Sequence, residues 1–448
     1  MALKKYFGTD GIRGRVGDHP ITPEFILKLG WAVGRVLGTR GSGENKILVG
    51  KDTRVSGYMF ESALEAGLSS AGVNVHLLGP LPTPAIAYLT RKLNARAGIV
   101  ISASHNMFED NGIKFFSHDG IKLSDEVELE IETELEGIQK VVEPHLLGKA
   151  SRVLSASDDY IKFCKQTVIA KYSFSDLKVV VDCAHGAGYL VGPNLLSDLG
   201  CNVVSIGNEP NGFNINDGFG STNPEALRRT VLMEGADIGI ALDGDGDRVI
   251  MVDESGAVVD GDDIIFVIAH FRQKLGRLRG SVVGTTMSNL GLEEAIVGLG
   301  LGFERSGVGD RCVLEKLRDG GWSLGGEPSG HIICHDLTTT GDGLVSSLQV
   351  LQAMVESGLS LSELRKPVKK IPQVLLNVEV SEEFSLAQFP KIHRELNRIS
   401  STLGTSGRVL LRESGTEPVV RIMVEGPDRQ GITSLATDLA SVVESTKS

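Results

Sequence analysis

The chain has 448 residues, room for about three or four domains, each able to bury its own core. A formal net charge of −12 argues against a nucleic-acid-binding face, and no polybasic run suggests a membrane footprint. The five cysteines, Cys164, Cys183, Cys201, Cys312 and Cys334, form no Cys-x-x-Cys pair. Met1 to Tyr6 lacks an apolar signal core, and no run of about 18 uncharged apolar residues occurs. The expectation is a cytoplasmic protein with reduced thiols, partnered by neither nucleic acid nor membrane.

In chain order, Gly8-Thr9-Asp10-Gly11-Ile12-Arg13-Gly14 is a glycine-rich loop with one arginine. Glycines let backbone N–H groups approach an anion, and Arg13 can fork onto a phosphate. Ile47 to Gly50 predicts a strand, a helix through Phe60 to Leu64 stops near Gly72, and Val73 to Leu78 is the next strand. Ala97 to Ile101 is a strand leading into Ser102-Ala103-Ser104-His105-Asn106. A serine beside a histidine there offers a nucleophile or a phosphate carrier. Lys114 can approach the same loop. The acidic stretch Ser124 to Lys140 predicts a solvated amphipathic helix.

Lys178 to Asp182 restarts the plan, with a helix ending at Leu199-Gly200 and a second strand over Cys201 to Ile206. Ser281 to Thr285 opens a third copy, its helix running from Leu292 to Leu299 and its next strand starting at Leu301. Strand–helix–strand units of this kind imply right-handed parallel crossovers, with functional loops at the carboxyl ends of the strands. The tail differs: a strand over Gln373 to Val378, a helix over Phe389 to Ile399, two strands (Arg408 to Arg412, Val419 to Val424) and a last helix over Gln430 to Val443. The fold class is therefore α/β: three similar domains built on βαβ units (1–154, 155–254 and 255–366) and a smaller α+β domain (367–448).

Asp243-Gly244-Asp245-Gly246-Asp247-Arg248 follows the buried strand read over Ala236 to Leu242. Two carboxylates about 4 Å apart repel by about 4 kcal/mol at an effective dielectric of 20, so three on one turn need a cation or full solvation. Oxygen-only ligands favour Mg²⁺ before Ca²⁺, and Arg248 beside a metal suggests an anion such as phosphate. An EF-hand loop is the rival, but Arg248 stands where its sharp turn needs glycine. Gly186-Ala187-Gly188, after Val179 to Val181, approaches a dinucleotide fingerprint with its third glycine one residue late.

Gly325-Gly326-Glu327-Pro328-Ser329-Gly330-His331 suits hydrogen bonds to sugar hydroxyls, with His331 as a proton-transfer candidate. Arg412-Glu413-Ser414-Gly415-Thr416-Glu417-Pro418, with Arg421 beyond, offers hydroxyls, backbone N–H groups and guanidinium groups that fit a phosphate dianion.

Together these loops resemble the phosphohexomutase family over essentially the whole chain, and within it the bacterial glucosamine branch. The phosphoserine loop matches Ser102 to Asn106, the metal loop Asp243 to Arg248, the sugar loop Gly326 to His331 and the phosphate loop Arg412 to Pro418. Tyr6 to Gly14 and Thr338 to Gly343 look like the glucosamine branch. The resemblance implies three α/β domains and a smaller fourth around a central cleft, in a monomer or homodimer. It implies reversible interconversion of glucosamine 6-phosphate and glucosamine 1-phosphate, feeding amino-sugar nucleotide synthesis for cell-wall precursors. Ser104 would carry the phosphoryl group and share Mg²⁺ with Asp243, Asp245 and Asp247, and a glucosamine or glucose 1,6-bisphosphate would be intermediate or primer. Arg13, His105, Lys114 and His331 would serve the transfer, Arg248, Glu327 and Ser329 the sugar phosphate, and Arg412, Ser414, Gly415, Thr416 and Arg421 the non-reacting phosphate. Within the family, mannose and glucose phosphates are the alternative substrates; a non-catalytic sugar-phosphate sensor is the alternative of another class. Three positions depart from the pattern: Met107 for proline, Pro328 for glutamine, and Gly307 where many relatives carry lysine. The last leaves His331, Lys114 and Arg305 as acid–base candidates.

Overall fold

A computed structural model describes residues 4–38, 43–381, 384–413 and 418–446. The chain forms two compact units, one running to Met287 and resuming over Leu299–Lys366, the other joining Ser288–Gly298 to the segment from Pro367 onward.

The larger unit holds three mixed sheets. The first contains β1 (Ile12–Arg15), β2 (Glu44–Lys51), β3 (Asn74–Pro80), β4 (Ala95–Ile101), β5 (Asp110–Ser117) and β6 (Ala150–Arg152), in the order β1-β5-β4-β2-β3-β6. The second contains β7 (Lys178–Asp182), β8 (Asn202–Ile206), β9 (Ile238–Leu242), β10 (Val249–Asp253) and β11 (Val258–Val259), in the order β11-β10-β9-β7-β8. The third contains β12 (Val282–Thr285), β13 (Phe303–Ser306), β14 (Leu324–Gly326) and β15 (Ile332–Cys334), in the order β13-β12-β14-β15.

One pattern underlies all three. A first strand is flanked by its second and third, all parallel, and the third turns back into an antiparallel fourth: β3-β2-β4-β5, β8-β7-β9-β10 and β13-β12-β14-β15. The parallel strands are covered on both faces by helices, so they read as unbroken apolar runs. In β9, Ile238, Ile240 and Leu242 are fully buried, each contributing roughly 1.5–3 kcal/mol relative to exposure. The antiparallel return of the fourth strand goes beyond the parallel crossovers that the repeats predict. It matters because the serine, aspartate and Glu327 to His331 turns each lie between a third strand and its fourth.

Two helices differ from expectation. Asp125–Leu135 is not wholly solvated: Glu128 and Glu132 are buried on it. Glu132 accepts the backbone N–H groups of Lys5, Tyr6 and Phe7, and Glu128 pairs with Lys4 and Arg311, so these acids fasten other segments rather than face water. The helix of the third repeat, Leu290–Gly298, belongs to the smaller unit. Asn289 exchanges hydrogen bonds with the Ile371 backbone (2.9 and 3.0 Å), and the Leu290 N–H donates to Glu425 (2.9 Å). The rest of that unit is an antiparallel sheet of β16 (Gln373–Glu379), β17 (Arg408–Glu413) and β18 (Val419–Glu425), ordered β16-β18-β17 and covered by helices Pro390–Leu403 and Arg429–Glu444.

Candidate active site

Three turns at equivalent corners of the three sheets carry the chemistry of the larger unit. The β4–β5 turn holds Ser104, the β9–β10 turn holds the aspartates, and the β14–β15 turn holds Glu327 to His331. The aspartate turn can approach the serine turn because Gly244 lacks a side chain; a Cβ there would lie 2.5 Å from the Ser104 carbonyl oxygen. Ser104 has φ of 54°, a left-handed conformation that non-glycine residues adopt at a cost, and it aims Oγ at Asp243. Ser104 Oγ donates to Asp243 Oδ2 at 2.6 Å.

Ligand oxygens of Asp243, Asp245 and Asp247 lie within 4.8 Å of one another, and all three residues are buried. Burial, then the charges of Asp245 and Asp247, push the Asp243 carboxyl well above the usual carboxylate range. Lys114 answers part of this charge, its Nζ standing 2.7 Å from Asp245 Oδ2, 3.3 Å from Asp247 Oδ2 and 3.2 Å from Asp10 Oδ2. Burial opposes a cation there, but the three carboxylates outweigh it and raise the lysine's pKa, so Lys114 stays charged. Lys114 meets only two of the three triad carboxylates, which leaves a deficit. Asp245 Oδ1 and Asp247 Oδ1 are buried without a hydrogen-bond partner. An all-oxygen acidic set with two orphaned oxygens fits a hard divalent ion.

Further charges continue the network. Lys122 bridges Asp10 (2.5 Å) and Asp310, Arg13 pairs with Asp10, and His331 stands 3.8 Å from both Asp247 and Asp310. His331 Nε2 accepts the Gly341 N–H at 3.1 Å. Burial disfavours charge on His331, but Asp247, Asp310 and Glu327 prevail and raise its pKa. His105, half-buried, has Nδ1 3.4 Å from Ser104 Oγ; burial, then Arg248 and Arg13, press its pKa down to about 4 and keep it neutral. The Arg248 backbone N–H donates to Asp243 Oδ1 (3.1 Å), while its guanidinium Nε lies 3.9 Å from Asp247. Glu327 is buried and accepts the Gly309 N–H at 2.9 Å; Ser329 is exposed at the tip of its turn.

In the smaller unit, Arg412 on β17 stands directly opposite Arg421 on β18, two guanidinium groups on one sheet. Ser414, Gly415 and Thr416 lie outside the described residues. Sequence reading thus placed the serine and aspartate turns together, but it missed Asp52, Arg54, Thr83, Lys122, Asn216 and Asp310. Thr83 donates to Asp245 Oδ2 (2.5 Å), and Arg54 and Asn216 hold the serine turn. Lys51-Asp52-Thr53-Arg54 ends the parallel strand β2, the position where functional loops are expected, and could have been found on that ground.

Both rival readings of the second sheet fail. The aspartate turn joins two strands, so no EF-hand helices flank it. Gly186 is packed rather than open to a pyrophosphate: a Cβ on it would lie 2.3 Å from the Gly244 carbonyl oxygen.

Repeated α/β modules join a serine to an aspartate triad, and the signatures and relatives that match the chain make it an isomerase of the mutase type. The signatures described as phosphoglucomutase/phosphomannomutase alpha/beta/alpha domains I, II and III match residues 4–142, 158–256 and 260–371, and that of the C-terminal domain matches 375–442. A phosphoglucosamine mutase from Methylococcus capsulatus is 59% identical over 440 residues, 98% of either chain. Among solved structures, a Burkholderia thailandensis protein described as phosphoglucomutase/phosphomannomutase family has a TM-score of 0.82 at 22% identity, covering 99% of this chain and 98% of its own. N-acetylphosphoglucosamine mutase from Aspergillus fumigatus, solved with GlcNAc-6P and magnesium, has a TM-score of 0.68 at 18% identity, covering 100% and 96%. The chain belongs to the phosphoglucomutase/phosphomannomutase family.

Proposed function

We propose that this enzyme interconverts glucosamine 6-phosphate and glucosamine 1-phosphate in the cytoplasm, through a phosphoserine at Ser104 and a 1,6-bisphosphate. The observation that carries the reading is the 2.6 Å contact of Ser104 Oγ with a buried aspartate triad. Full-length identity to phosphoglucosamine mutases supports the sugar, and five unpaired cysteines, four of them buried, support a reducing compartment.

In the forward step the O1 hydroxyl attacks the Ser104 phosphorus. The O1–P bond forms, the P–Oγ bond breaks with its electron pair left on Oγ, and the O1 proton passes to a base. After the bisphosphate turns, the 6-phosphoryl group returns to Ser104 by the same exchange. Asp243, Asp245, Asp247 and the Ser104 oxygen would hold Mg²⁺, which when bound draws charge from phosphoryl oxygens. Lys114, fixed as a cation, and Arg13 neutralise the transferring group, with Arg248 beside them. Lys114 stands among Asp10, Asp245 and Asp247 as their counter-charge, and His331, Lys114 and Arg305 are the acid–base candidates, with His105 beside Ser104. Glu327 and Ser329 hold sugar hydroxyls, and Arg412, Ser414, Gly415, Thr416 and Arg421 grip the phosphate that is not reacting.

Two measurements test this. Intact mass should show a phosphorylated fraction that Ser104→Ala removes together with turnover. Glucosamine, glucose and mannose 6-phosphates assayed in parallel should rank glucosamine first; a preference for mannose or glucose would overturn the sugar assignment.

A further inference from the structure

The serine turn is braced from outside its own module. Its Ser104 and Asn106 carbonyls each receive two donors. Arg54 Nη2 reaches them at 3.0 and 2.7 Å, and Asn216 Nδ2 at 2.9 and 2.8 Å. Arg54 is fully buried and itself held by Asp52, whose Oδ2 also accepts the Ser102 hydroxyl. Asn216 comes from the second module, in a loop docked on the first: Phe213 meets Phe108 edge-on at 5.4 Å between centroids, and the Val55 N–H donates to the Gly212 carbonyl at 2.9 Å. Asn216 has φ of 62°, and Ala184 and His185 in the strand-end turn beneath it have φ of 53° and 49°. The Asn216 N–H donates to the Ala184 carbonyl at 2.8 Å, so one left-handed residue rests on another.

We propose that Asn216 is a positioning residue for the phosphoryl transfer, holding Ser104 in its left-handed conformation so that Oγ faces Asp243. This rests on the phosphoserine reading above. Two carbonyls whose donors come from separate modules fix the turn's two peptide planes, and with them the direction of Oγ. Removing one brace lets Ser104 relax toward ordinary φ, which swings Oγ off line; a misplacement of about 1 Å can cost roughly 100-fold in rate. The substrate's own contacts lie elsewhere, so its binding should be spared.

Asn216→Gly is the informative variant, because glycine adopts a positive φ without strain while losing both donated bonds. Asn216→Asp keeps the shape and replaces the donor with an acceptor. For both, kcat should fall at least about tenfold with KM within about twofold, while Ser104 remains phosphorylated by intact mass and the Asn216→Gly melting temperature stays near that of the parent. A kcat within twofold of the parent in both variants would overturn the proposal. So would parallel changes of kcat, KM and melting temperature, which mark general loosening. Ser104→Ala run alongside keeps the two ideas separate: turnover in that variant sinks the phosphoserine reading itself, whatever Asn216 does.

Discussion

At the residue scale, the site is governed by charge balance. Lys114 faces Asp10, Asp245 and Asp247 with almost no access to water. Replacing it with methionine leaves Asp245 and Asp247 without their nearest cation, and removing one partner of a buried ion pair costs about 3–5 kcal/mol. Lys114→Met should therefore lower the urea midpoint in EDTA-treated protein as well as abolish turnover; an unshifted midpoint would mean that the carboxylates are solvated. Metal supplies a second test. Magnesium at 100 times its dissociation constant should stabilise the parent by about 2.7 kcal/mol, seen as a raised melting temperature. Asp245→Asn, lacking a charge and a ligand oxygen, should lose most of that rise. The aspartates were legible because alternation with glycine puts their meaning in one short string. Asn216 was not, since its partner Ser104 lies 112 positions away and an asparagine in a polar loop signals nothing by itself. Lys122 and Asp310 were hidden for the same reason.

At the element scale, the first two strands of each repeat could be read from β-branched runs closed by glycine. The fourth strand was harder. The sequence suggests only that Lys114 can approach the serine loop; it does so from inside β5, paired opposite Val100. Antiparallel pairing to β4 makes a strand of a segment whose Asp-Asn-Gly start carries little strand propensity. Helix junctions were less visible still. Asp342 caps helix Gly343–Ser357 through the Val345 N–H at 2.9 Å, and both its oxygens accept the buried Tyr160 hydroxyl, at 3.0 and 2.9 Å. Burial lifts the Asp342 carboxyl to about 6, with the Val345 and Tyr160 bonds working against it. A raised carboxyl costs stability above that pH, and the cost fades as pH falls from about 6 toward the unfolded value near 4. Tyr160→Phe removes a donor to the charged form, so it should destabilise by about 1.5–3 kcal/mol at pH 8 and by about 1 kcal/mol at pH 5. Thermal melts at both values check this, and an equal loss at both would show that Asp342 does not change protonation state between them.

At the scale of the whole molecule, chain order and spatial grouping part company at Ser288–Gly298, which interrupts the larger unit and completes the smaller. Leu292 and Ile296 are fully buried there, and a Cβ on Gly291 would lie 2.0 Å from the Lys369 carbonyl oxygen. A chain ended after Lys366 would bare these residues and should aggregate by light scattering. Replacing 288–298 with a Gly/Ser linker in the same truncation should restore a soluble species; two equally monodisperse products would refute this.

The three sheets share one strand plan, and each commits the same corner to a different duty. On the proposed assignment, one repeat supplies the nucleophile, one the counter-charge and one the recognition of hydroxyls. With those duties in separate hairpins, substitutions at Glu327 to Ser329 should shift hexose preference while the Ser104–Asp243 contact stays in place.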